Sequence, residues 1–205
     1  MSSEEKQLPK PKRRWFQLRL RTLLVLVTLA SVPLSWVGWE LDQRRREKQA
    51  IAWVEEMGGT VILKNLNILS LAGTKVRDLS PLAELKNLEN LRLSVTEVSD
   101  LSPLAELKNL RVLVLNQTEV SDLSPLADLK NLEWLYLKKT EVSGLSPLAD
   151  LKNLKELNLS ETEVSDLSPL AQLKNLWELN LIGTEVSEEQ IDKLKLALPN
   201  CDISR

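Results

Sequence analysis

The sequence predicts an α/β fold: a right-handed solenoid with a parallel sheet on its concave face, preceded by one transmembrane helix. A 22-residue unit begins at Leu66, Leu88, Leu110, Leu132, Leu154 and Leu176 and repeats end to end without a gap. Self-similarity at a fixed period of this size is the signature of stacked repeat architectures. Ahead of the repeats, residues 22–39 read TLLVLVTLASVPLSWVGW, eighteen residues without a charge. As a helix that stretch rises about 27 Å, close to the ~30 Å thickness of a bilayer's hydrocarbon core.

Residues 1–21 form a basic tail carrying Lys6, Lys10, Lys12, Arg13, Arg14, Arg19 and Arg21. Trp15 and Phe16 on one side of the predicted span, and Trp36 and Trp39 at its far end, suit the two water–lipid interfaces. Pro33 is tolerable in a lipid-embedded helix. Seven basic residues before the span outnumber the four after it, Arg44, Arg45, Arg46 and Lys48, which favours a cytoplasmic N-terminus with the repeats on the opposite side. Two alternatives stand beside this reading: a signal peptide cut after Thr28-Leu29-Ala30, and a faint echo of a twin-arginine export signal at Arg13-Arg14.

A juxtamembrane capping helix is expected over residues 40–59. Ala50, Ile51, Trp53, Val54 and Met57 line one face, and Gly58-Gly59 ends it. The repeats occupy residues 60–186. Their unit reads L-x-x-L-x-L-x-x-T-x-V-S-D-L-S-P-L-A-x-L-K-N, and the second copy, LENLRLSVTEVSDLSPLAELKN, shows every fixed place. The first half alternates apolar and polar residues, as a strand with one buried face does. In the second half Ser-Pro recurs at 80–81, 102–103, 124–125, 146–147 and 168–169. There the Ser is expected as N-cap of a short helical turn opposite the sheet, because proline has no N–H to give a central strand. The Asp column at 78, 100, 122 and 166 reads as capping these turns rather than as a calcium ladder. One unit cannot bury enough apolar surface to order itself, so the stack supplies the stability and both ends need caps. Residues 187–205 form the C-terminal cap: Ser187 opens a longer helix with Gln190 three places on, Pro199 closes it, and Cys201 and Ile203 pack beneath.

Charge and composition exclude several activities. The chain has 27 basic and 29 acidic residues, but residues 1–59 are net basic and residues 60–205 net acidic. An acidic repeat domain does not suit a phosphate backbone, so no nucleic-acid partner is expected. There is no histidine, hence neither the usual general base nor the commonest metal ligand, and Cys201 is the only cysteine. No enzyme activity, cofactor or metal is expected.

The pattern L-x-x-L-x-L-x-x-T with V-S-D-L-S-P-L-A-x-L at 22-residue spacing, over residues 66–197, resembles the internalin-like class of bacterial leucine-rich repeats. The lead from Arg13 to Trp39 looks like the anchors of single-pass bacterial membrane proteins with such repeats. The resemblance implies a leucine-rich-repeat solenoid in the bacterial cytoplasmic membrane that binds proteins with its concave face. One departure is that Thr74, Thr96, Thr118, Thr140, Thr162 and Thr184 stand where the repeat usually has Asn. Their hydroxyls can still bond turn backbone, with fewer groups.

Alternation puts places 3, 5 and 7 of each unit on the concave face. Val112, Val114, Trp134, Tyr136 and Lys138, with Lys139 beside them, then form a central patch, ringed by Arg92, Asn116, Glu156 and Asn158. Aromatic anchors with a polar rim are how binding hot spots look. The expected partners are a protein or peptide on this face and the lipid bilayer through residues 22–39. Binding of an envelope glycan by Trp134 and Tyr136, or a structural membrane-organising role, are the alternatives.

Overall fold

The structure, a computed structural model, describes residues 40–62 and 67–205; the basic tail and the predicted span at 22–39 lie outside the described residues. Among the described residues no helix is long and apolar enough to cross a membrane. The chain divides into two compact units, residues 1–45 and 46–205. In the first, residues 40–45 are helical, and Arg44 donates to Glu40 Oε1 at 3.0 Å, one helical turn away.

The second unit opens on the helix α1, residues 46–56. There Ala50 and Val54, four residues apart, are buried, and Trp53 packs against the same core. Met57, expected on the buried face, is exposed, because the chain has left the helix at that point. Gly58 takes the left-handed φ of +77° that ends α1. Gly59 leaves no room for a side chain: a Cβ would lie 2.6 Å from Leu71 Cδ2 and 2.9 Å from the Ser70 carbonyl oxygen. This close approach brings β1 (Thr60–Ile62) antiparallel to β2 (Ile68–Ser70), Thr60 opposite Ser70, a strand too short to announce itself by alternation.

From β2 the sheet runs parallel, one strand per repeat, through β3 (Asn90–Arg92), β4 (Val112–Val114), β5 (Trp134–Tyr136), β6 (Glu156–Asn158) and β7 (Glu178–Asn180). An unexpected last strand, β8 (Asp202–Ser204), pairs with β7. Each strand covers only places 3 to 5 of its unit. Place 8 turns left-handed in every copy: Gly73, Val95, Gln117, Lys139, Glu161 and Gly183 have φ between +55° and +76°. Place 7 therefore falls beyond the strand, and Ser160, expected on the open face, is buried with its hydroxyl donating to Asn158 Oδ1.

Within each coil the apolar places converge on one core. In the second unit Leu88, Leu91, Leu93, Val98, Leu101, Leu104 and Leu107 are all buried, and the same places are buried in the units from Leu110, Leu132 and Leu154. The threonine of each unit closes the bend after the strand. Thr96, Thr118 and Thr162 donate to the carbonyls of Leu93, Leu115 and Leu159 at 2.7, 2.7 and 2.6 Å, and all three are buried. A buried carbonyl left without a donor is costly, which is why this polar side chain sits inside a leucine core.

The Ser-Pro segments form short 3-10 turns, the second and third being Ser102–Leu104 and Ser124–Leu126. The serine is not their N-cap. The preceding Leu101 or Leu123 holds that place without a side-chain bond, and the Ser lies inside the turn. The cap comes from the aspartate column instead: the N–H groups of Ser80, Ser102, Ser124 and Ser168 donate to Oδ1 of Asp78, Asp100, Asp122 and Asp166 at 2.8–2.9 Å. At the other end of the turn, Lys108, Lys130 and Lys152 donate to the carbonyls of Ala105, Ala127 and Ala149. A second column, unrecognised in the sequence, ties neighbours together: Asn109, Asn131, Asn153 and Asn175 donate through Nδ2 to the Lys carbonyl of the preceding unit at 2.7–2.8 Å.

The C-terminal lid is α2 (Glu188–Ala197), which buries Ile191 and Leu194. Ser187 Oγ accepts from the Gln190 N–H at 3.3 Å. The reciprocal half of the expected capping box is absent; Gln190 Oε1 accepts from Leu167 N of the previous coil at 3.4 Å and so docks the lid. Arg205 pairs with Glu188. Cys201 and Ile203 pack against the core, and burial pushes the Cys201 thiol up to about 11, which suits a packed residue rather than a nucleophile.

The interrupted aspartate column generates two predictions. Gly144 stands where the other turns have Asp, a Cβ there meets nothing within 4 Å, and its φ is not positive. Gly144→Asp should supply the missing cap and restrict the unfolded chain, raising Tm by roughly 2–4 °C in a thermal melt. The second concerns acid. The hydroxyl and then the N–H of the following Ser hold Asp78, Asp100, Asp122 and Asp166 below the usual carboxylate range. A depressed folded pKa gives stability that is complete above the unfolded value of about 4 and is lost as pH falls through the folded values. Replacing all four by Asn, which can cap without titrating, should flatten the acid limb of Tm against pH below about pH 4.

Candidate binding surface on the sheet

The open face of the sheet follows from the strand period. Leu91, Leu113, Leu135, Leu157 and Leu179 at place 4 are fully buried, so places 3 and 5 of the same strands point away from the core. Parallel pairing then stacks equal places. Asn90, Val112, Trp134, Glu156, Glu178 and Asp202 form one row. Arg92, Val114, Tyr136, Asn158, Asn180 and Ser204 form the other.

A shallow hollow of about 490 Å³ lies across β3 to β5. Its lining includes Val112, Val114, Trp134, Tyr136, Arg92 and Asn116, all expected in the patch or its rim, together with Asn90. Of the other expected members, Glu156 and Asn158 stand on β6 in register with Trp134 and Tyr136, and Lys138 lies past the end of β5. Lys138 is exposed beyond the end of β5 and ion-paired with Glu161 Oε1 at 3.0 Å. Asn158 spends its Oδ1 on the N–H and hydroxyl of Ser160 at 2.9 and 2.7 Å. Glu156 lies on the next strand, close enough for its carboxylate to raise the Tyr136 phenol.

Both aromatic anchors are held. Tyr136 is half-buried; burial first, and then the Glu156 carboxylate, push its hydroxyl up to about 12, so it stays a neutral donor at physiological pH. Trp134 sits between two cations, with Lys155 Nζ 5.2 Å and Arg111 Cζ 5.8 Å from its ring centroid. Glu133 fixes both cations: its Oε2 lies 2.6 Å from Lys155 Nζ, and its Oε1 lies 2.6 Å from Arg111 Nη2. The Lys155 bond, aided by Arg111, holds the Glu133 carboxyl below its ordinary range. These three place-2 residues were not singled out in the sequence. Their signal is the sign alternation at 22-residue spacing, Glu89, Arg111, Glu133, Lys155. A side chain immobilised before binding loses less entropy on binding, so the geometry presents a pre-organised aromatic pair.

The family described as Leucine Rich repeats (2 copies) matches residues 64–106, 86–128 and 130–172. No curated protein matches the chain significantly. Among solved structures, internalin C2 from Listeria monocytogenes is similar with 35% identity and a TM-score of 0.61 over 66% of this chain. An internalin (inlF) from the same organism aligns over 67% of the chain at 27% identity and a TM-score of 0.54. A leucine-rich-repeat protein of Leptospira interrogans aligns over 63% at 29% identity and a TM-score of 0.60. The chain spans 59%, 46% and 34% of the lengths of those three proteins. The family match covers more than half of the 205 residues, and the sheet repeats on the same 22-residue period; the chain belongs to the leucine-rich repeat family.

Proposed function

We propose that this protein is a non-catalytic recognition module, anchored in a bacterial cytoplasmic membrane by residues 22–39, that binds a protein or peptide through the open, concave face of its sheet. The observation that carries the binding reading is the aromatic pair: Trp134 braced by Arg111 and Lys155, and the half-buried Tyr136 on the same strand, both lining one hollow. Central aromatic anchors of this kind dominate interface energetics. The anchor reading rests on the uncharged run at 22–39 and the aromatic residues at its two ends. The non-catalytic reading draws on the sequence, which lacks histidine, and on a shallow hollow whose lining holds no acid.

Topology is tested by reporters fused after Arg205. An active periplasmic-type phosphatase with a dark cytoplasmic fluorescent reporter is the expected result, and the reverse pattern would invert the orientation. The face is tested by Trp134→Ala combined with Tyr136→Ala, read as crosslinked partner in intact membranes and as Tm. Capture should fall at least about thirtyfold, since truncating a central anchor costs 2 kcal/mol or more. Tm should drop by only a few degrees, reflecting lost cation–π contacts of about 0.5–1 kcal/mol. Undiminished capture would remove the face from the binding site.

A further inference from the structure

The hollow is flanked by unlike charges that the protein leaves unneutralised. On the β3 side stands Arg92, exposed at the edge of the hollow and without an ion pair or side-chain hydrogen bond among the described residues. The other arginines of the repeats and lid are engaged: Arg77 with Glu97, Arg111 with Glu133, and Arg205 with Glu188. On the far side Glu156, Glu178 and Asp202 face one another in register across β6, β7 and β8. None of the three has an ion pair among the described residues, and the Glu156 carboxylate lies near the Tyr136 phenol. Like charges directly opposite on neighbouring strands are destabilising. Lys155, beside Glu156 in sequence, is spent on Glu133 and the Trp134 ring.

We infer that the occupant of this face is a peptide segment of mixed charge, lying across the strands with an acidic side chain at Arg92, apolar or aromatic side chains in the hollow, and a Lys or Arg over Glu178 and Asp202. This inference rests on the binding reading above and adds the chemistry and the direction of the partner. Arg92 and Glu178 lie four strands apart, about 19 Å at the ~4.8 Å strand spacing, and an extended chain rising ~3.3 Å per residue covers that in about six residues. A uniformly basic segment would meet Arg92 unfavourably, and a uniformly acidic one would meet the three carboxylates. An apolar segment alone would leave both sets of charges unanswered. Such complementarity governs specificity more than raw affinity.

The test is selection of a displayed random dodecapeptide library on the full chain in detergent, with Trp134→Ala/Tyr136→Ala as counter-target. Enriched peptides should carry an acid and a Lys or Arg about six positions apart around apolar residues. Arg92→Glu and Glu178→Lys should each weaken such a peptide about tenfold, and reversing the facing charge on the peptide should restore binding to the matching variant. Peptides that need the aromatic pair but show no charge pattern, or whose affinity ignores both reversals, would overturn the polarity while leaving the face intact. Enrichment unaffected by the aromatic double, or none at all, would overturn the face and the inference together.

Discussion

No repeat of this chain satisfies its own backbone. The N–H of Leu93 donates to Val114 O in the next coil, that of Leu115 to Tyr136 O, and that of Leu137 to Asn158 O, at 2.8 Å each. The leucines flanking those groups have no exposure at all. Strand pairing and core burial are therefore properties of the contact between coils, which makes the molecule quasi-one-dimensional. The asparagine column adds a side-chain tie at each step, and its bonds span 23 residues rather than closing within a coil.

Because that contact repeats, most of the unit is spoken for. Leucines at places 1, 4, 6, 14, 17 and 20, the threonine at 9 and the asparagine at 22 all answer to the neighbouring coil or to their own turn. Places 2, 3 and 5 are released from that duty, and there the copies differ: Glu89, Arg111, Glu133 and Lys155 at place 2, and Asn90, Val112, Trp134 and Glu156 at place 3. Sequence difference between copies of a repeat thus marks the surface free to specialise. The Trp134 brace arises at that level, since Arg111, Glu133 and Lys155 come from three successive coils.

The stack also tolerates local cost. Glycine serves the left-handed place 8 at Gly73 and Gly183, but the four copies between them carry Val95, Gln117, Lys139 and Glu161 at φ of +55° to +59°. For a β-branched residue such as Val95 this is a strained conformation. It persists because the bend is over-determined: the Val95 N–H donates to Asn116 O, and Thr96 closes the same bend on Leu93 O. Only an element held from both sides can keep a side chain in that region.

Much of this architecture was legible in the residues. The 22-residue period, the buried leucines and the aspartate caps are properties of periodicity and local turn chemistry, and both are written along the chain. So was the core of the site, since alternation puts Val112, Val114, Trp134, Tyr136 and Arg92 on one face and pairing brings them to one hollow. What the chain did not announce depends on groups that meet only after stacking. The short strands β1 and β8 owe their existence to the edges they cover, and Met57 lost its place when the helix ended at Gly58. Lys138 stands apart because place 7 lies past the end of its strand, where Glu161 pairs with it, while Asn158 stays in register with Tyr136 but gives its Oδ1 to Ser160. By itself the sequence determined the repeat, its core and its open face, because those follow from spacing along one chain. Only the tertiary structure decided which cations hold Trp134 and which charges stay unanswered, because each such pairing joins side chains a full repeat apart, brought within bonding distance by the stack.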